Sequence, residues 1–253
     1  RCEIVIDGLP PAFDGFTIAQ LTDLHAGPMC PGWWITGWAR AAMALKPDLI
    51  AITGDLVASG PDFVPDLERA FRALKAPSGV FAVMGNHDYF GGADPALLAM
   101  FERLGTTVLR NRAVTLQRGE DSLAIAGVDD TWRGLADVRA AVGDIAAGTT
   151  TVLLAHDPAV FEESCAESVA LQISGHVHGG QIAGPWLGAA GSPLRWFGFK
   201  TVAGLYRSGR SALWLGAGLG TTGAPIRIGM PSELPLLTLR SASRPSARRS
   251  RSR

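Results

Sequence analysis

Residues 48–55 read Asp-Leu-Ile-Ala-Ile-Thr-Gly-Asp, and this stretch decides the fold. Five residues follow one another with no polar alternation before the run stops at Gly54-Asp55. A strand without a polar face is covered on both sides, as in a parallel sheet held between layers. Upstream, Lys46-Pro47 closes a stretch of helical character over 33–45. Outward on either side the pattern repeats. Phe16–Leu21 runs into Thr22-Asp23, and Gly79–Met84 runs into Gly85-Asn86-His87-Asp88. Helices are expected over Phe63–Leu74 and Pro95–Leu104. Strand, polar loop and helix in rotation specify an α/β layered fold.

The second half is richer in strands. Ser122–Val128, Thr150–Ala155, Leu171–Ser174, Thr201–Tyr206, Ala212–Gly216 and Glu233–Leu239 all read as strands. Short helical pieces such as Leu135–Val142 separate them. No internal repeat or interior linker is visible, so residues 1–240 are read as one domain.

Composition narrows the function classes. The 253 residues are 47% hydrophobic and 18% charged, which excludes a disordered chain. Three scattered cysteines make neither a disulfide framework nor a zinc ribbon. No uninterrupted apolar stretch is long enough to span a bilayer. The net charge of zero hides an asymmetry: residues 241–253 carry five Arg and no acid, leaving 18 basic against 23 acidic side chains in residues 1–240. The tail cannot pack a core and is expected to be disordered. The chain starts at Arg1 rather than Met, so a signal or anchor is expected to have preceded it.

The polar chemistry collects at strand ends. All five His lie in short clusters there: Asp23-Leu24-His25, Gly85-Asn86-His87-Asp88, Ala155-His156-Asp157 and Gly175-His176-Val177-His178, with Gly54-Asp55 alongside. In open α/β sheets, ligands bind beyond the carboxyl ends of strands. Imidazole with carboxylate suits divalent ions of the Mn, Zn and Fe type. Three Asp/Asn oxygens (Asp23, Asp55, Asn86) and four His nitrogens (His25, His156, His176, His178) exceed the needs of one four-coordinate ion. They suit two ions sharing a bridging carboxylate.

These five blocks, in this order, resemble the signature of calcineurin-like metallophosphoesterases over about residues 16–239. The segment Gly175–Gln181 and the region 216–240 resemble the bacterial YkuE/YaeI-type branch, to which lipid-processing members are similar, a UDP-2,3-diacylglucosamine pyrophosphatase among them. The resemblance implies a four-layer α/β/β/α sandwich with mixed sheets. It implies that Asp23, His25 and His178 hold one metal, that Asn86, His156 and His176 hold the other, and that Asp55 bridges them. His87 would sit over the substrate phosphate and Asp88 would orient its loop. Two cations ~3.5–4 Å apart acidify a water and clamp phosphoryl oxygens. That water would attack phosphorus in line, while His87 offsets charge and protonates the leaving oxygen.

The substrate expected is a phosphodiester, pyrophosphate or phosphomonoester, with a glycolipid or nucleotide-linked lipid as the finer expectation. The partners expected are that substrate and a membrane surface, with no specific nucleic acid, the chain being monomeric. The cell envelope is the expected location, the cytoplasmic face of the membrane being the alternative. The aromatic residues Trp33, Trp34 and Trp38, and Trp186, Trp196, Phe197 and Phe199, follow the first and last clusters. They are either core packing or an apolar rim. Asp157 reads as a turn residue before Pro158, Asp129-Asp130 as loop, Gly216-x-Gly218-x-Gly220 as a strand-to-turn segment and Arg227 as a surface residue. A purple acid phosphatase would place Tyr where Ala58 stands. The serine-hydrolase elbow and the zincin His-Glu-x-x-His are absent from the sequence. A non-catalytic module of the same fold would have lost some of these ligands or His87.

Overall fold

The computed structural model describes residues 1–184, 188–198 and 200–242. Trp186, Phe199 and the tail from residue 243 onward lie outside the described residues, as does the side chain of Phe197.

Along the chain run β1 (Cys2–Ile6), β2 (Thr17–Leu21), α1 (Gly32–Ala44), β3 (Leu49–Thr53), α2 (Val64–Phe71), β4 (Val80–Val83), α3 (Asp94–Leu104), β5 (Thr107–Val108), β6 (Arg112–Arg118) and β7 (Asp121–Gly127). There follow α4 (Val138–Val142), β8 (Thr150–Leu154), α5 (Phe161–Ala166), β9 (Leu171–Ser174), β10 (Gly204–Ser208), β11 (Ser211–Leu215) and β12 (Leu236–Ser241). They build two six-stranded sheets, ordered β1-β12-β2-β3-β4-β5 and β10-β11-β9-β8-β7-β6. Both are mixed. β2 to β5 are parallel and β12 runs against β2, while β7, β8, β9 and β11 are parallel between antiparallel edges β6 and β10.

Strand periodicity assigns each side chain a layer. Ile18, Leu49, Ala51, Phe81 and Val83 face the second sheet and meet Leu123, Ile125, Val152, Leu154 and Ile173 there. Leu21, Ile50, Ile52, Ala82 and Met84 face the other way, onto Ile35, Leu67 and Leu97 of α1, α2 and α3. Val138 and Ala141 of α4 cover Ala126 and Leu153 on the far side of the second sheet, and Phe161 of α5 packs with Leu213 and Leu215. The result is the four-layer α/β/β/α sandwich.

Some boundaries differ from the sequence reading. The strand expected at Thr201–Tyr206 begins only at Gly204 and runs to Ser208, because Gly204 and Gly209 take positive φ of 99° and 56° and frame the hairpin to β11. The helix expected from Leu135 starts at Val138, where the Asp137 carboxylate accepts from the Ala140 amide. The strand expected from Glu233 begins after Pro235, which lacks the amide a central strand needs. The terminal strand β1, the edge strand β6 and the short α5 were not expected. β6 (RAVTLQR) is half exposed and carries no continuous apolar run.

Candidate metal centre

The carboxyl ends of β2, β3, β4, β8 and β9 meet at one end of the sandwich. The backbone there is unusual. Nine non-glycine residues take positive φ among the described residues, and five of them are Asp23, His25, Asp55, His176 and His178. A left-handed backbone is disfavoured for residues with a Cβ, and such strain clusters at functional sites. The turns also close on one another. A Cβ on Gly54 would come within 2.5 Å of the Gly85 amide and 2.8 Å of His156 Nδ1. One on Gly175 would overlap the Thr22 hydroxyl and the Asp23 carboxylate. The three glycines of Gly216-x-Gly218-x-Gly220 serve the same need, because Cβ atoms there would meet Gln20, Asp23 and the Leu24 carbonyl. They form a strand-to-turn segment, as the sequence reading had it.

The donor atoms fall into two groups. Asp23, His25, Asp55 and His178 offer ligand atoms within 4.8 Å of one another, and Asp55, His156 and His176 do the same, Asp55 belonging to both. Within the first, His25 Nε2 lies 2.9 Å from His178 Nε2 and 3.5 Å from Asp55 Oδ2, and His178 Nε2 is 3.3 Å from Asp23 Oδ1. Within the second, His156 Nε2 is 3.2 Å from Asp55 Oδ2 and 3.2 Å from His176 Nδ1. Asn86 is buried, lines the same cavity and leaves its Oδ1 without a hydrogen-bond partner. Imidazole nitrogens turned toward each other across shared carboxylates, with an orphaned amide oxygen beside them, are a donor set that fits divalent transition ions.

The surroundings tune these groups. Burial lowers His25 to about 3, outweighing the pull of Asp55. Burial also works against charge on His156, but the Asp55 carboxylate overcomes it and holds His156 up at about 10. Burial acts to raise Asp55, yet His156 and His25 keep it well below the usual carboxylate range. His156 Nδ1 lies 2.8 Å from the Thr53 carbonyl. Donation there leaves Nε2 turned inward to Asp55, where a bound ion would take the place of its proton.

His87 and Asp88 take different stations. His87 Nδ1 lies 2.7 Å from the Ala58 carbonyl, and its ring packs edge-on to His25 at 4.6 Å and against Phe90 at 4.7 Å. It lines the cavity outside both donor groups. Asp88 is fully buried and faces backbone. Its Oδ2 accepts from the Asp55 and Gly85 amides at 2.9 Å and its Oδ1 from the Leu56 amide at 2.7 Å. It therefore positions Asp55, while the Asp55 carboxylate accepts from the His87 amide at 2.9 Å.

Several residues are more engaged than the sequence suggested. Arg227 is half-buried rather than a surface residue, donating to the carbonyls of Gly220, Ala217, His178 and Met230. It ties the Gly216–Gly220 loop to the turn bearing His178. Asp129 accepts from Tyr89 and, at 2.6 Å, from Arg110. Asp157 caps the turn at Pro158, as expected, and accepts from Thr131 at 2.8 Å.

A cavity of about 250 Å³ opens over the cluster, with Asp55, Asn86, His87, His176 and His178 at its base and Trp132, Leu194 and Thr222 in its walls. The sequence reading missed Trp132 altogether. The signal was available: it follows Asp129-Asp130 at the carboxyl end of β7, the position that marks the other clusters. Of the aromatics it did name, Trp33 and Trp34 are exposed on the first turn of α1 and Trp38 packs partly against the core. Trp196 is exposed in the turn that carries Leu194.

Residues 16–180 match the family model described as calcineurin-like phosphoesterase. The uncharacterized metallophosphoesterase YkuE of Bacillus subtilis is 31% identical over 239 residues, covering 93% of this chain and 82% of that protein. A zebrafish (Danio rerio) transmembrane protein with metallophosphoesterase domain is 27% identical over 256 residues, covering 95% of this chain but only 56% of that protein. Among solved structures, the NAD nucleotidase of Haemophilus influenzae superposes with a TM-score of 0.54 at 14% identity, over 80% of this chain and 45% of that one. That likeness concerns the fold.

Proposed function

The chain belongs to the calcineurin-like phosphoesterase family, and from this premise of a metal-dependent phosphoesterase we propose a two-ion centre that hydrolyses a phosphodiester, pyrophosphate or phosphomonoester. Asp23, His25 and His178 would hold one divalent ion, Asn86, His156 and His176 the other, and Asp55 would bridge. The observation that carries this reading is the pair of donor groups sharing Asp55. Bound ions of the Mn, Zn or Fe class supply acidity to a water and offset phosphoryl charge.

The remaining work falls to side chains. His87, anchored through Nδ1 at Ala58, turns Nε2 to the phosphoryl oxygens. In its protonated form it donates there and passes that proton to the leaving oxygen. Asp88 keeps Asp55 and the Gly85–Asn86 turn in register by gathering their amides. Arg227 holds the His178 turn. A non-catalytic module is disfavoured by the survival of every donor together with His87.

A lipid-linked ester, met at a membrane surface, is the finer reading. Met29, Trp33, Trp34 and Phe90 favour it, being exposed on segments next to the site. The strand-like contact of Ala26 with Val57 joins the loop before α1 to the segment whose Ala58 carbonyl holds His87. Exposed indoles suit the membrane interface. Among the described residues no helix is long and apolar enough to cross a membrane.

The test is turnover by metal-stripped protein given back Mn, Zn or Fe, on p-nitrophenyl phosphate, bis-p-nitrophenyl phosphate and UDP-2,3-diacylglucosamine. Metal-restored hydrolysis of at least one ester is expected. Asp55→Ala should abolish it and lower the bound metal, whereas His87→Ala should cut it about 10²-fold or more with metal content intact. No turnover with any metal would end the proposal.

A further inference from the structure

Trp132 is 64% exposed in the lining of a cavity that also holds Asp55, Asn86, His87, His176 and His178. A large apolar side chain left in water at such a place calls for an explanation. It is no floppy loop residue. On one side of it Asp129 accepts from Tyr89, three residues beyond Asn86. Asp130 Oδ2 takes the Arg133 amide at 2.8 Å. Thr131 Oγ1 donates to Asp157 beside His156 at 2.8 Å. The loop bearing the indole is therefore held between two segments that carry donor residues, and the indole meets the His176 ring at 5.5 Å and 73°. Leu194 supplies a further apolar surface to the same cavity.

The cavity volume of about 250 Å³ suits a phosphoryl group with the first atoms of its ester substituent, and Trp132 and Leu194 offer that substituent an apolar wall. The structure assigns Trp132, with Leu194, as the surface that receives the organic substituent of the phosphate ester and selects for an apolar one, a flat ring or an alkyl chain. The assignment rests on the phosphoesterase reading above but adds a substrate preference to it. An indole stacked on a planar partner changes affinity by about tenfold or more.

Binding, rather than turnover, separates the two claims. Phosphonates keep the phosphoryl oxygens but present a C–P bond in place of the scissile ester. Methyl-, octyl- and phenylphosphonate would be titrated calorimetrically into the full, manganese-loaded chain and into Trp132→Ala and Trp132→Phe. The expected result is octyl- or phenylphosphonate binding about tenfold more tightly than methylphosphonate, with the difference erased in Trp132→Ala and partly kept in Trp132→Phe. The octyl and phenyl arms distinguish a chain from a ring. Equal affinity for all three in the wild type would overturn the assignment, as would an equal loss across all three in Trp132→Ala, which would leave the indole only a support for His176. Loss of metal in Trp132→Ala, read by elemental analysis, would do the same. Turnover failing while this preference holds would sink the phosphoesterase reading alone.

Discussion

At the residue scale, the site depends as much on what is missing as on what is present. Gly175 lets the turn after β9 pass against Thr22 and Asp23, where a methyl group has no room. Gly175→Ala should therefore displace His176, whose amide donates to Asp23 Oδ1 at 2.9 Å. Metal content by elemental analysis should fall while the far-UV circular dichroism stays near wild type. Unchanged metal content would show that Thr22 and Asp23 can yield. Asp88 is the other decisive residue. Burial first, and then the Asp55 carboxylate, push its carboxyl up to about 7, while the amides it accepts from pull the other way. Asp88→Ala strands at least three buried amides, each worth about 1 kcal/mol or more, and should lower the urea midpoint as well as turnover. The resemblance read from the sequence assigned His87 the phosphate and Asp88 the loop; in the structure Asp88 faces backbone amides and His87 lines the cavity.

At the scale of elements, the two sheets are joined beneath the site by a buried polar link. Gln20 of β2 donates through Nε2 to Thr53 Oγ1 at 2.8 Å and to the Ser174 carbonyl at 2.9 Å, and its Oε1 accepts from Trp214 Nε1 at 3.0 Å. An apolar residue at this inward position would satisfy the strand pattern. Gln20→Leu should nevertheless destabilise by about 2 kcal/mol, since it orphans the buried Trp214 indole N–H and takes the donor away from Thr53 Oγ1. Equilibrium urea unfolding reads this directly, and stability equal to wild type would mean that the link is dispensable. No local pattern announces such a residue. A lone Gln in the run Thr17–Leu21 looks like a flaw in a strand until the second sheet is brought against it. The apolar strands β3, β4 and β8 were legible, because burial on both faces removes alternation. β6 was not, since an edge strand shares its composition with a loop.

At the scale of the whole molecule, the sandwich is also clasped at its opposite end. Asp48, at the start of β3, accepts from the Thr17 hydroxyl and amide and from Arg118 at the end of β6, the last at 2.7 Å. Arg118 also lies over the Phe13 and Phe16 rings. Burial acts to raise the Asp48 carboxyl, but the Thr17 hydrogen bonds and Arg118 outweigh it and hold it below the usual range. A depressed folded-state value means that this stabilisation is present above the unfolded carboxylate range and is lost as pH falls through the folded value. Asp48→Asn should cost about 1 kcal/mol at pH 7, solvent screening keeping it small, and the difference from wild type should shrink toward zero in acid below the folded value. A difference independent of pH would assign the effect to the hydrogen bonds alone. Metal removal acts on the same scale: ions bound only by the folded site add stability by mass action, so chelation should lower the melting temperature of the wild type and leave Asp55→Ala unmoved.

The chain's own order of residues determined that this is a layered α/β protein and which polar groups it carries at strand ends. Both follow from local rules, burial erasing alternation within a strand and glycine allowing a sharp turn after it. Which donors share Asp55, that Asp88 and Arg227 serve the backbone, that Gln20 links the sheets and that Trp132 stands in the cavity wall were decided only when two sheets from distant parts of the chain closed on each other. Those contacts span up to about two hundred residues of sequence, as between Gln20 and Trp214, and no local periodicity encodes a distance between atoms so far apart along the chain.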